Sequence, residues 1–257
     1  STERDNATSA DVKADANEFT GRAGLAYEFD NGVTPYVSYS SSFSPTTTAD
    51  GLGGLVPPET AQQWEAGIKY APTGFDGLFT LAVFDLTRQN VAASVPGNPT
   101  LTEALGEVNI RGVELAAQAN LAGGWKVLGG LTYLDAEVTR TIGTWDATPV
   151  GNTPIQIPDL TASLWLDYAV QSGALEGVSV GAGVRYVGES WADRANTLKV
   201  PAAAVVDAAI RYDRDNWSIA LNVANLFDKS HVTSCQELTT CGYGAGRTIT
   251  LKAHATW

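Results

Sequence analysis

The sequence predicts an all-β chain, the wall of an antiparallel transmembrane β-barrel. Three observations carry that expectation. Apolar and polar residues alternate with a period of two through most of the chain. The alternating segments run about 10–15 residues, whereas soluble strands average about half that and a tilted membrane strand needs about 9–11. The links between them are alternately short and long, as in outer-membrane barrels, whose short turns face the periplasm and long loops the outside.

Composition narrows the alternatives. The 257 residues carry 28 acidic and 16 basic side chains, a net charge of -12 and a pI near 4.5. So acidic a chain is a poor partner for nucleic acid phosphates. With 44% hydrophobic and 17% charged residues, it can bury enough apolar surface to escape disorder. No run reaches the roughly 18 apolar residues of a spanning helix. The chain starts at Ser1 with neither an initiator Met nor a signal peptide, so a processed or truncated product is expected.

Eleven segments alternate, near 18–29, 33–44, 60–71, 78–91, 105–119, 125–139, 155–170, 176–188, 200–213, 216–227 and 246–257. The first two meet at Asp30-Asn31-Gly32, a hairpin turn. The third is the clearest, with Trp64, Ala66, Ile68 and Tyr70 set against Gln63, Glu65, Gly67 and Lys69. In 125–139, Leu128, Leu131, Tyr133 and Leu134 do not sort onto one face. Segment 155–170 sets Leu160, Ala162, Leu164, Leu166 and Tyr168 against Thr161, Ser163, Trp165 and Asp167. Val178, Val180, Ala182, Val184 and Tyr186 alternate with Ser179, Gly181, Gly183 and Arg185, and Trp217, Ile219, Leu221 and Val223 with Ser218, Ala220 and Asn222. The last segment sets Ile249, Leu251, Ala253, Ala255 and Trp257 against Thr248, Thr250, Lys252, His254 and Thr256. Long links are expected near 45–59, 94–103, 141–153, 189–199 and 229–244, with short turns near 72–77, 122–124, 171–173 and 213–216.

The polar set is charged on strand after strand: Arg22, Glu28, Glu65, Lys69, Glu114, Asp167, Arg185, Asp207, Arg211 and Lys252. Burying these in one soluble core would cost several kcal/mol each unless they were paired. A wet or plugged lumen avoids that cost, which disfavours a soluble β-sandwich. The apolar set then faces lipid. Its Trp64, Tyr70, Tyr168, Tyr186, Tyr212, Trp217 and Trp257, near strand ends, are expected to form membrane girdles. Eleven strands cannot close an ordinary bacterial barrel, and an open edge in hydrocarbon leaves backbone groups unsatisfied. The chain is therefore expected to be part of a larger barrel whose missing portion lies N-terminal. Residues 1–17 would be the remnant of an outer loop, and 18–257 the barrel wall.

Several stretches resemble the C-terminal half of TonB-dependent ferric-siderophore receptors, especially the ferrichrome-type branch that takes hydroxamate siderophores. They are Glu59-Thr-Ala-Gln-Gln-Trp-Glu-Ala-Gly-Ile-Lys-Tyr70, Asn109-Ile-Arg-Gly-Val-Glu-Leu115, Asn222-Val-Ala-Asn-Leu-Phe-Asp-Lys229, and Cys235 and Cys241 followed by Gly242-Tyr243-Gly244 and Arg247-Thr-Ile. The resemblance implies half of a 22-stranded plugged barrel, with the plug domain and TonB box absent from this chain. It implies an outer-membrane receptor in a Gram-negative bacterium, with loops extracellular and the C-terminus periplasmic. The transported ligand would be a ferric siderophore, energy would come from the TonB–ExbB–ExbD complex, and outer-membrane lipid would surround the wall. A passive porin-like channel is the first rival and an outer-membrane barrel hydrolase the second.

Cys235 and Cys241 are the only cysteines. Close together in an expected outer loop, in an oxidising compartment, they read as one disulfide, constraining the unfolded chain by about 2–2.5 kcal/mol in the entropy model. It serves as a loop staple or stiffens a loop over the ligand mouth. The resemblance implies that relatives often carry an aromatic between the cysteines; here Gln236, Glu237 and Leu238 stand there, and Tyr243 just beyond is the nearest candidate. Trp145 and Trp191 lie in long links, where an exposed Trp packs on a neighbouring loop or stacks on a ligand. Tyr243, Gln236, Trp191 and Trp145 are thus the candidate ligand contacts. Glu65, Lys69, Glu114, Asp167, Arg185, Asp207 and Arg211 are expected to face the lumen. His231 and His254 sit on different elements without a Cys or carboxylate at ligand spacing, so neither a metal site nor a cofactor is expected. No Ser, His and acid converge as a hydrolase needs, so no catalysis is expected, and no glycine-rich turn precedes a helix.

Overall fold

The computed structural model describes residues 2–4, 11–13, 17–46, 50, 54–95, 98–104, 106–141, 148–236 and 240–256; Trp145, Glu237, Leu238 and Trp257 lie outside these. Eleven strands form one antiparallel sheet: β1 (Arg22–Ala26), β2 (Val33–Ser44), β3 (Glu59–Tyr70), β4 (Asp76–Gln89), β5 (Glu107–Leu121), β6 (Trp125–Arg140), β7 (Leu160–Ala169), β8 (Val178–Val187), β9 (Ala203–Arg214), β10 (Trp217–Ala224) and β11 (Thr248–Ala255). Their order in the sheet is their order in the chain, with β1 and β11 at the edges.

All eleven expected segments are strands, and the shifted ends have local causes. β5 starts at Glu107 because Gly106 has φ +102°. β7 starts only at Leu160, because Pro154 and Pro158 lack amide donors and Gln156 has φ +67°. β10 stops at Ala224, where Asn225 leaves the strand with φ +53°. At the short-turn end Gly32 has φ +83°, and a Cβ there would lie 1.9 Å from the Ala71 carbonyl oxygen, so only glycine fits. The long links carry small hairpins of their own. Ala92–Val95 pairs with Asn98–Ala104, Ser190–Trp191 with Lys199–Val200, and Val232–Gln236 with Thr240–Tyr243. Thr2–Arg4 pairs with Asp11–Lys13 in the segment read as a loop remnant.

Register decides which side chains share a face. One row runs Lys69, Thr80, Ala116, Gly130, Ser163, Arg185, Val205 across β3 to β9. Glu65, Glu114, Asp167, Asp207 and Arg211 lie an even number of residues from members of this row, so all seven charges expected together share one face. The parallel row Tyr70, Phe79, Ala117, Gly129, Leu164, Val184, Val206 belongs to the opposite, apolar face. Ile68, Leu164, Val180 and Leu251 on that face are 47%, 44%, 45% and 69% exposed. A soluble body would have gathered them inside. The two clusters of buried apolar residues lie instead at the long-loop end.

Aromatic rings flank the apolar face. Near the short turns Tyr70 meets Phe79, Trp125 meets Tyr168, and Tyr212 meets Trp217, with centroids 6.3, 4.9 and 5.4 Å apart. Higher up, Tyr39 and Trp64 are 4.9 Å apart. Trp125 and Tyr133 are eight residues apart on β6, ~26 Å of strand, on the scale of the ~25 Å apolar band of a membrane barrel.

Above that band the two faces exchange character, which the sequence reading did not anticipate. Trp64 stands in mid-strand, in one row with Asp85, Arg111 and Asp135. Arg111 Nε lies 2.9 Å from Asp85 Oδ2, and Asn109 donates to Asp85 Oδ1 at 2.7 Å. The opposite face at this height is apolar: Val108, Ile110, Ala136 and Val138 are buried against Phe84, Leu86, Leu134, Val91 and Ile157. This accounts for most of the mixed pattern of 125–139, while Leu128, across from Trp165 on the charged face, lies below the exchange. Leu131 and Tyr133 belong to the apolar band, whereas Leu134 already serves the inverted region. Lower down, Trp165 on the charged face lies over Gly181 and Gly183; a Cβ on Gly183 would sit 2.5 Å from its ring, so the two glycines make room for the indole.

Candidate functional site

The site builds up from three links that leave the sheet at its long-loop end: 141–159 between β6 and β7, 188–202 between β8 and β9, and 225–247 between β10 and β11. The middle link is a small ledge. Ser190–Trp191 pairs with Lys199–Val200, and Asp193 closes the turn between them. Its carboxylate accepts from the Thr197 and Leu198 amides at 2.9 and 2.6 Å and from the Thr197 hydroxyl at 2.8 Å. Partial burial pushes the Asp193 pKa up, but these donors outweigh it and hold the group below the usual carboxylate value. A depressed folded pKa stabilises the ledge above the ordinary carboxylate pKa, and that contribution is lost as pH falls through the folded value. Acidification below about pH 4 should therefore speed amide exchange at Thr197 and Leu198. Asp193→Ala should reproduce that exchange at neutral pH; unchanged protection in the variant would refute the role.

Lys199 Nζ lies 2.7 Å from Glu189 Oε2 and 5.2 Å from the centre of the Trp191 ring. The hydrogen bond to Glu189 raises the Lys199 pKa, so the ammonium stays charged. These three residues line a cavity of about 270 Å³ with Asp159, Ile157, Leu134 and Thr153. An aromatic plate, aliphatic side chains and a few convergent polar groups make a surface suited to an organic ligand.

The third link carries the disulfide, Cys235–Cys241, which staples its hairpin. Cys235 is buried with Ala192 and Val200, so the hairpin rests on the ledge. Gln236 is exposed beside the disulfide, and Tyr243 is exposed at the hairpin base opposite Val232. Trp191 and the disulfide are thus brought together, whereas Trp145 lies outside the described residues.

Below this hairpin, Asn225 is a buried node. Its amide donates to Asp207 Oδ1 at 2.8 Å, its Nδ2 to the carbonyls of Lys229 and Ala245 at 2.9 and 3.1 Å, and its Oδ1 accepts from the Lys229 amide at 2.9 Å. Asp207 also takes two bonds from Arg185, at 2.6 and 3.0 Å. Asp228 Oδ1 accepts from the Arg247 amide at 2.7 Å. The Asn-Leu-Phe-Asp-Lys stretch is therefore a turn that ties β8, β9 and the start of β11 together. Elsewhere on the charged face, Glu65 accepts from Tyr36 at 2.6 Å and Gln63 at 3.0 Å, Lys69 lies over the Tyr36 ring, and Arg211 donates to Asp213. Among the described residues no group of three His, Cys, Asp or Glu could hold a metal ion.

Residues 1–226 match the family model described as TonB dependent receptor-like, beta-barrel. The chain belongs to the TonB-dependent receptor β-barrel family. It is 42% identical over 246 residues to the ferrichrome outer membrane transporter/phage receptor of Escherichia coli K12, covering 94% of this chain and 32% of that protein. It is 39% identical over 251 residues to the ferrioxamine receptor of Yersinia enterocolitica, covering 95% of this chain and 34% of that one. The crystal structure of the siderophore receptor PiuA from Acinetobacter baumannii superposes with a TM-score of 0.73 at 29% identity, over 91% of this chain and 35% of that chain. This TonB-dependent receptor chain spans about a third of the length of the curated relatives it matches.

Within the family fold, the alternation was legible in the sequence, and Asn222–Lys229 was legible as a family stretch, but the turn at Asn225 was read as the end of a strand. Gln156, Asn196 and Asp193 were not legible. They are single polar residues in loops, and only their partners distant in sequence give them a role.

Proposed function

We propose that the chain is the C-terminal part of an outer-membrane receptor that captures a ferric siderophore of hydroxamate type and imports it. In this reading the charged face looks into a plugged lumen and the apolar face touches lipid. The long links are extracellular, the C-terminus is periplasmic, and the TonB–ExbB–ExbD complex supplies energy through the part of the receptor that precedes this chain. The observation that carries the branch is the 42% identity to a ferrichrome transporter over nearly the whole chain. The Trp191 cavity at the long-loop end supports it, because an iron chelate presents an organic shell that such a surface grips. Capture and import, rather than catalysis, is the proposed activity.

The test is iron-loaded ferrichrome or ferrioxamine B offered to cells making the full-length receptor. Saturable binding and uptake that stops without TonB are expected. No saturable binding of any ferric hydroxamate would overturn the branch. Flux that is linear in solute and independent of TonB would favour the passive channel instead.

A further inference from the structure

We infer that Gln156 is the positioning residue of the mouth, joining three separate links into one rigid unit. The inference deepens the reading above, and its first test needs no siderophore. Gln156 has φ +67°, a left-handed conformation that a side chain with a Cβ adopts only at a cost. That conformation turns successive residues in different directions. Ile157 packs against the apolar cluster of Val108, Ile110, Ala136 and Val138 on β5 and β6. Meanwhile the Gln156 amide donates to the Trp191 carbonyl at 2.9 Å, and its Nε2 donates to the Cys235 carbonyl at 3.3 Å. One dipeptide therefore ties the barrel wall to the ledge and to the disulfide hairpin, 79 residues further along the chain.

Two neighbouring contacts join only the first two links. Asn196 Oδ1 accepts from the Thr153 amide at 2.8 Å while its Nδ2 donates to the Thr153 carbonyl at 3.0 Å. Asn152 Nδ2 donates to the Arg194 carbonyl at 2.9 Å. The Gln156 amide side chain is thus the described polar bridge from the 141–159 link to the hairpin, supplementing the apolar contact of Cys235 with Ala192 and Val200. With the bridge in place, Trp191 and the hairpin are held in fixed relation before a ligand arrives. Less ordering is then needed on binding, and the complex dissociates more slowly.

The experiment compares amide exchange in the full-length receptor without ligand, for wild type, Gln156→Ala and Asn196→Ala. Gln156→Ala should raise exchange at 232–236 by about three- to tenfold, the equivalent of one ordinary hydrogen bond, and leave β6 and β7 unchanged. Asn196→Ala should loosen the ledge but leave the hairpin protected, so that the two variants separate the bridge from general loop damage. Unchanged exchange at 232–236 in Gln156→Ala would overturn the inference, as would equal loosening of the hairpin by both variants. Ferric-hydroxamate dissociation should be faster in Gln156→Ala. If no hydroxamate binds even the wild type, the proposed ligand fails while the exchange result still stands or falls alone.

Discussion

Leu164→Arg should block assembly of the full-length barrel, or destabilise it by about 2–4 kcal/mol, the cost of an arginine on a lipid-facing strand near the bilayer midplane. Leu164 is 44% exposed on the apolar face and pairs with Gly129, which lies midway between Trp125 and Tyr133 on β6. An arginine there has no lipid-accessible partner in its row, whose neighbours are Gly129 and Val184. Thr132→Arg is the matched control. Thr132 lies on the other face, directly across from Glu114, so the same guanidinium gains a carboxylate neighbour and should be tolerated. Folding yield and denaturant stability in bilayers measure both. Equal tolerance of the two substitutions would mean that the apolar face does not meet lipid, and the assignment of the two faces would be lost.

The second large effect is expected at Asn225. It is 3% exposed and engages Asp207, Lys229 and Ala245 through four hydrogen bonds, three of them from its side chain. Asn225→Ala leaves the Lys229 amide and two carbonyls without these partners and keeps a left-handed backbone at a residue with a Cβ. The expected cost is about 2–4 kcal/mol, from unsatisfied buried groups together with backbone strain. Asn225→Gly relieves only the strain and should recover a minor part of the loss. Asn225→Asp keeps the acceptor for the Lys229 amide but loses both Nδ2 donors and places a second carboxylate near Asp207. Unfolding measurements on the full-length receptor would rank the three variants. A wild-type value for Asn225→Ala would show that the turn is held by something other than this node.

How far the fold could be read in advance differs along the chain for a physical reason. In β7, β8, β10 and the lower half of β3 one side is apolar and the other polar, so period-two alternation records the face of each residue. β6 runs beyond the apolar band. Leu131 and Leu134 answer to opposite environments there, and the pattern loses its meaning at the height where those environments trade places. Asp85, Arg111 and Asp135 could not be placed for the same reason, because their row exists only through the register of three strands.

The amino-acid order alone determined the class of structure, the number of strands in the main sheet and its two faces. Those properties depend on neighbours within a few residues, or on water and hydrocarbon, which act on each position separately. The arrangement of the long links was decided only in three dimensions. The meeting of Trp191, Gln156 and Cys235 joins links far apart in sequence, and no local pattern encodes a hydrogen bond whose partner is chosen by how three loops fold over one another.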